Sequence, residues 1–182
     1  MNNAVEKLKT IYDIEALPDD ERVELVDGVI YDMAGTTRDH QDIVGGFYRK
    51  IMDHIDQNKG KCRAYMGPYA VCSTNDIHNY LEPDVYVVCD RSKLEQKSCQ
   101  VVPDWVIEVV SPTSRDRDYV QKLFSYKTAG VREYWIVDPI TEKVVVYNLE
   151  EGGIQTYSFS DDIDCFVMHG LSLKVENFLL KE

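Results

Sequence analysis

Asp84 and Glu108 are the residues of this chain best placed to do chemistry. Asp84 follows Pro83 and opens the apolar run Val85-Tyr86-Val87-Val88, and Glu108 lies inside Trp105-Val106-Ile107-Glu108-Val109-Val110. Runs of β-branched and aromatic residues read as buried strands. An ionised carboxylate in such a strand is costly unless something compensates it. Two of them on neighbouring strands would form a compact oxygen-ligand site for a hard divalent cation such as Mg²⁺. That chemistry suits phosphodiester hydrolysis, in which the cation polarises a phosphate and helps generate hydroxide. Strand alternation puts Ile107 and Val109 on one face and Glu108 on the other, with Val106 and Val110, so Glu108 points into a partly enclosed pocket. The competing reading is a strand-end carboxylate bonded to backbone or to an arginine.

An ammonium in the same pocket would add a group that orients water or stabilises transition-state charge. Lys122 can supply it from a helix over about 115–129. The alternative is an ordinary surface pair between Asp118 and Lys122, worth a few tenths of a kcal/mol. Asp104 also follows a proline and shares the strand face of Glu108. At about 3.3 Å per residue it lies roughly 13 Å away, and it reads as structural. His40 either lines the pocket or sits on a helix surface, and Gln121 either contacts the site or faces solvent. Trp105, Tyr134 and Trp135 read as core. No zinc-ligand spacing or phosphate-cradling glycine loop occurs, and no histidine near Ser111 suggests a hydrolase triad.

The elements that must position these residues follow from the pattern. Asp27-Gly28 between β-rich runs predicts a tight hairpin. Apolar residues at Ile43, Val44, Phe47, Ile51, Met52 and Ile55 recur at helical spacing over about 37–58, with Gly45-Gly46 marking a weak point or a close approach. Strands are expected at 61–66, 68–74, 84–89 and 104–110. Residues 76–80 read as a polar loop, and 91–100 as a loop with a short helix. Ser114 is a candidate cap for the 115–129 helix, and Gly130 is placed to end it. Strands resume at 133–137, 143–149, 153–159 and 163–167. The reading is one α/β domain over residues 1–182, a mixed central sheet flanked by helices, with an N-terminal hairpin and a C-terminal β-rich segment.

Composition bounds the partners. The 182 residues are 44% hydrophobic and 29% charged, and 20 basic against 32 acidic residues give a net charge of −12. That balance argues against a protein that coats nucleic acid nonspecifically. Arg115, Arg117, Lys122, Lys127 and Arg132 nevertheless concentrate positive charge in one segment. The five cysteines form no CxxC pair and their number is odd, so buried free thiols in a reducing cytoplasm are expected rather than a disulfide scaffold. No apolar run approaches the roughly 20 residues that cross a bilayer, and the first residues lack the pattern of a secretion signal.

Taken together, Glu82-Pro83-Asp84, Ile107-Glu108-Val109-Val110-Ser111-Pro112, Arg117-Asp118, Lys122, Tyr126 and Gly130-Val131-Arg132-Glu133-Tyr134-Trp135-Ile136-Val137-Asp138-Pro139 resemble the Uma-type family of restriction endonucleases, within the PD-(D/E)XK nuclease superfamily. Glu24-Leu25-Val26-Asp27-Gly28 and His40 extend the resemblance over about residues 20 to 150. It implies a restriction-endonuclease-like fold and a Mg²⁺-dependent site in which Mn²⁺ substitutes, acting on DNA rather than RNA. By it, Asp84 and Glu108 are the metal-binding carboxylates and Glu24 is the extra upstream acid. One departure matters. The superfamily pattern has lysine two residues beyond the second acid, where this chain has Val110, so the resemblance assigns that role to Lys122. A homodimer presenting two sites is expected, with no membrane partner. The alternatives are a non-catalytic nucleic-acid-binding or assembly module on the same fold, and a small-molecule phosphodiesterase.

Overall fold

The computed structural model of the protein describes residues 7–18, 21–33, 35–73, 76–92, 94–96 and 98–180. The chain opens with a short helix α1 (Ile11–Glu15), the hairpin β1 (Val23–Val26) and β2 (Val29–Asp32), and the long helix α2 (Arg38–Gln57). Strands β3 (Arg63–Met66), β4 (Ala70–Ser73), β5 (Asp76–Leu81), β6 (Val85–Val88), β7 (Ser98–Cys99) and β8 (Trp105–Val109) follow. A π-helix (Arg117–Lys122) runs directly into α3 (Leu123–Ala129). The chain continues through β9 (Glu133–Asp138), β10 (Lys143–Asn148), β11 (Gly153–Ser158), β12 (Ile163–Asp164) and β13 (Ser172–Leu173). The expected hairpin forms, with Asp27 (φ 49°) and Gly28 (φ 79°) both left-handed at its turn, as a two-residue connection requires.

The central sheet is mixed and six-stranded, in the order β11-β10-β9-β8-β6-β3. Only β8 and β9 are parallel within it, with Glu108 opposite Ile136. A parallel pair needs a crossover. Here residues 110–132 supply it, so the pairing of β8 with β9 is what carries Lys122 back across the sheet. One face packs Val85, Val87, Trp105, Ile107, Trp135 and Val137 against Ile43, Phe47, Ile51 and Ile55 of α2 and against the C-terminal segment. Gly46 allows that closure, because a Cβ there would fall 2.3 Å from Phe178 Cγ. The other face packs Tyr86, Val88, Val106, Val110, Tyr134 and Ile136 with Val26, Leu81, Tyr126 and Val131.

Three expectations need correction. Residues 76–80 are not a polar loop but belong to strand β5, which joins a second five-stranded sheet, β2-β1-β5-β4-β7. Its sequence, Asp-Ile-His-Asn-Tyr-Leu, lacks clean alternation because most of the strand is only half-buried. Residues 98–99 form the short strand β7 parallel to β4, not part of a helical loop. Cys62 and Cys89 are not free thiols. The β3–β6 register sets Arg63 opposite Val88, which brings the two flanking cysteines face to face, and they are joined as a disulfide. Cys72, Cys99 and Cys165 are free. Among the described residues no helix is long and apolar enough to cross a membrane.

Candidate active site

Asp84 and Glu108 meet because β6 and β8 are adjacent and antiparallel, with Val85 opposite Ile107. Backbone contacts then lock the two carboxylates together. The Val109 amide donates to Asp84 Oδ2 at 2.8 Å, and the Asp84 amide points at Glu108 Oε2 at 3.4 Å. Glu108 Oε1 accepts from Lys122 Nζ at 3.0 Å and from the Tyr126 hydroxyl at 2.8 Å. Oε2 therefore keeps most of its coordinating capacity. Asp84 Oδ1 lies 3.3 Å from His40 Nε2, and His40 is fixed at the start of α2, where Thr37 Oγ1 accepts from its backbone amide.

Lys122 is not half of a surface pair. Its Nζ sits 2.8 Å from Glu24 Oε1, 3.0 Å from Glu108 Oε1 and 3.5 Å from Asp118 Oδ1. Glu24, Glu108, Asp118 and Lys122 are each no more than 3% exposed. The π-helix explains this convergence. Its wider i→i+5 turn turns Arg117, Asp118 and Lys122 toward the cleft, and α3 brings the Tyr126 hydroxyl to Glu108 from behind it. Gln121 is left outside: it is exposed, accepts from the Tyr31 hydroxyl at 3.1 Å, and does not line the cleft. Ser114 serves this segment through its backbone carbonyl, which accepts from Asp118 N, while its hydroxyl closes a turn with Ser111.

The electrostatics follow from burial. Burial pushes the Glu108 carboxyl up to about 8; Lys122 opposes this, and Asp118, Asp84 and Glu24 reinforce it. Burial also raises Asp118, again opposed by Lys122. For Lys122 burial alone would lower the pKa, but Glu108, Glu24 and Asp118 outweigh it and hold the ammonium well above the ordinary lysine value. His40 behaves likewise: burial lowers its pKa and Asp84 more than restores it.

These side chains floor an open cleft of about 580 Å³. Glu24, Asp32, Glu82, Asp84, Glu108 and Asp118 line it against Arg117, Lys122 and His40, so the negative charge is under-compensated. No cluster of three or more His, Cys, Asp or Glu side chains set to hold a metal occurs among the described residues. Glu108 Oε2 and the remaining lone pairs of Asp84, in an acidic, open cleft, nevertheless fit Mg²⁺, which keeps several waters and is bound through one or two carboxylates. Asp104 is remote from this cleft and structural, as its spacing suggested. Its Oδ2 accepts from the Cys89 amide at 2.8 Å, and its Oδ1 lies 3.4 Å from Arg132.

Asp118 and Arg117 in the cleft, and Tyr126 behind Glu108, are not assigned from the sequence. The available signal was spacing: Asp118, Lys122 and Tyr126 are each four residues apart, which sets them on one helix face.

The chain as a whole is similar to known proteins. An uncharacterized protein of Synechocystis sp. is 29% identical over 163 residues, spanning 86% of this chain and 82% of that one. A crystal structure described as a putative nuclease belonging to DUF820, from Anabaena variabilis, superposes with a TM-score of 0.76 at 18% identity. It covers 93% of this chain and 96% of that one, so the fold is that of a nuclease-like relative. The model of the Uma2 family, described as a putative restriction endonuclease, matches residues 8–176. The chain belongs to the Uma2 family.

Proposed function

We propose that the protein is a Mg²⁺-dependent endonuclease that hydrolyses DNA phosphodiester bonds, with Mn²⁺ able to substitute. The observation that carries this reading is the pairing of Asp84 with Glu108 on the cleft floor, with Lys122 Nζ 3.0 Å from Glu108 Oε1. Asp84 and Glu108 are the residues that would hold the cation. Bound there, Mg²⁺ supplies Lewis-acid polarisation of a phosphate oxygen and a more acidic water. Tyr126 and Lys122 occupy Glu108 Oε1 and so leave Oε2 toward the cleft. His40 steadies Asp84 from the side. Glu24 draws Lys122 into place at 2.8 Å, and the charge of the ammonium stabilises oxygens that gain charge at phosphorus. The water oxygen bonds to phosphorus, one P–O ester bond breaks, and the products are a phosphate monoester and a hydroxyl. Two copies of the chain would present two such clefts, one for each strand of a duplex.

The test is cleavage of plasmid and oligonucleotide DNA by wild type, Asp84→Ala and Glu108→Ala in Mg²⁺, in Mn²⁺ and in chelator. Metal-dependent cutting confined to wild type is expected. No cutting in either metal, with wild type and variants alike, sinks the proposal. DNA retention that survives both chelator and Asp84→Ala without cleavage points instead to a binding module. Turnover of a small phosphodiester that DNA does not inhibit points to a phosphodiesterase.

A further inference from the structure

The two permanent cations lining the cleft are in opposite states. Lys122 is saturated, with three carboxylates within 3.5 Å. Arg117 is not. Its Nε is buried and bonds nothing. Its Nη2 lies 3.7 Å from Glu24 Oε2, beyond a normal hydrogen bond. The side chain is nonetheless folded inward, 14% exposed, with the guanidinium carbon 4.7 Å from the centre of the Tyr31 ring. That ring is itself tethered, its hydroxyl donating to Gln121 Oε1. A guanidinium held inward on an aromatic platform, without a hydrogen-bonded carboxylate, gains free energy when an acceptor arrives at its Nη edge. Planar N–H donors in a fixed fork match a phosphate's oxygens two at a time.

We propose that Arg117 is a substrate-binding residue whose Nη donors take a backbone phosphate of the nucleic acid seated in the cleft. This rests on the nuclease reading and assigns the anion-binding half of the same site. The carboxylates and Lys122 floor the cleft, and Arg117 grips the strand beside them. Arg117 and Lys122 are five residues apart on the π-helix, so one segment delivers both the strand contact and the ammonium. Tyr31 keeps the fork pre-formed, which reduces the entropy lost on binding.

The experiment compares wild type, Arg117→Met and Arg117→Lys. Methionine keeps an apolar stem on Tyr31, and lysine keeps charge without the fork. Binding of a short fluorescent DNA duplex is measured with Ca²⁺ replacing Mg²⁺, over a range of salt concentrations. Mn²⁺ binding without DNA and thermal midpoints are recorded in parallel. Arg117→Met should weaken duplex binding by about 10- to 100-fold. It should also reduce the slope of log K against log salt by about 0.9, the loss of one phosphate contact. Arg117→Lys should restore the slope and only part of the affinity, and Mn²⁺ binding should be unchanged in both. Wild-type affinity and slope in Arg117→Met overturn the assignment and leave Arg117 as a structural neighbour of Glu24. Should Arg117→Met fail to fold, Arg117→Lys decides: wild-type affinity in that variant overturns the claim equally. A wild-type protein that binds no DNA overturns both this inference and the nuclease reading. One that binds but does not cut, with the slope lost in Arg117→Met, overturns only the nuclease reading.

Discussion

Two buried glutamates on neighbouring strands of one sheet meet opposite fates. Glu108 lies on β8 and Glu133 on β9, on opposite faces, and both are almost wholly enclosed. Glu133 is surrounded by donors: Trp135 Nε1 at 2.7 Å, Val167 N at 2.8 Å, Phe166 N at 3.2 Å and the Cys165 thiol at 3.2 Å. It pins the C-terminal segment to the sheet. Glu108 shares its cavity with three other carboxylates, and its second oxygen has only a long amide contact. Burial and strand position do not separate a structural acid from a functional one. The count and kind of partners does. Backbone amides and an indole finish a carboxylate, whereas like charges around one lysine leave room for a cation.

The comparison can be broken most forcefully at the acids themselves. Glu108→Ala should abolish metal-dependent cleavage, by about 10³-fold or more, the scale of losing a principal electrostatic group. It should leave the melting temperature little changed, because it relieves like-charge crowding. Removing Lys122 sharpens the same point. In Lys122→Met three buried carboxylates lose their shared cation, and about 3–5 kcal/mol of stability should go with it. Added Mg²⁺ should then raise the melting temperature of Lys122→Met more than that of wild type. An equal rise in the two would contradict the idea that cation and ammonium balance the same charges.

Glu133→Ala should show the reverse of Glu108→Ala: about 3 kcal/mol of lost stability from stranded buried donors, with cleavage per folded molecule retained. A further effect is in pH. The Glu108 carboxyl rises from the ordinary 4.5 to about 8 in the folded protein, so the native state holds a proton that the unfolded chain releases. In chelator, the stability from this group is present below about pH 4.5 and is lost as pH rises toward 8. Denaturant unfolding at a series of pH values should show that decline in wild type and a flatter curve in Glu108→Gln.

Much of the site was legible in the sequence because it depends on strand alternation. Alternation put Glu108 on the face of Val106 and Val110, where the structure has it. Gly130 ends α3 with φ 97°, as its position predicted. What stayed hidden depends on geometry that spacing does not encode. The i,i+4 spacing sets Asp118 and Lys122 on one helix face without saying where that face points, and it gives no reason to bury Arg117, which the π-helix turns inward while Gln121 stays out. Strand β5 was unreadable because its partners β1 and β4 are set by tertiary packing rather than by its own pattern. Glu133 gave no warning, since the amides that satisfy it come from residues 166 and 167, more than thirty positions along the chain.

The most direct measurement is a crystal structure of the protein soaked in Mn²⁺, with anomalous scattering used to locate the ion. The account predicts a peak bonded to oxygens of both Asp84 and Glu108, Lys122 still beside them, and none at Glu133. Saturating Mn²⁺ that leaves no peak at Asp84 and Glu108, with the Lys122 ammonium unmoved against Glu108, would contradict it.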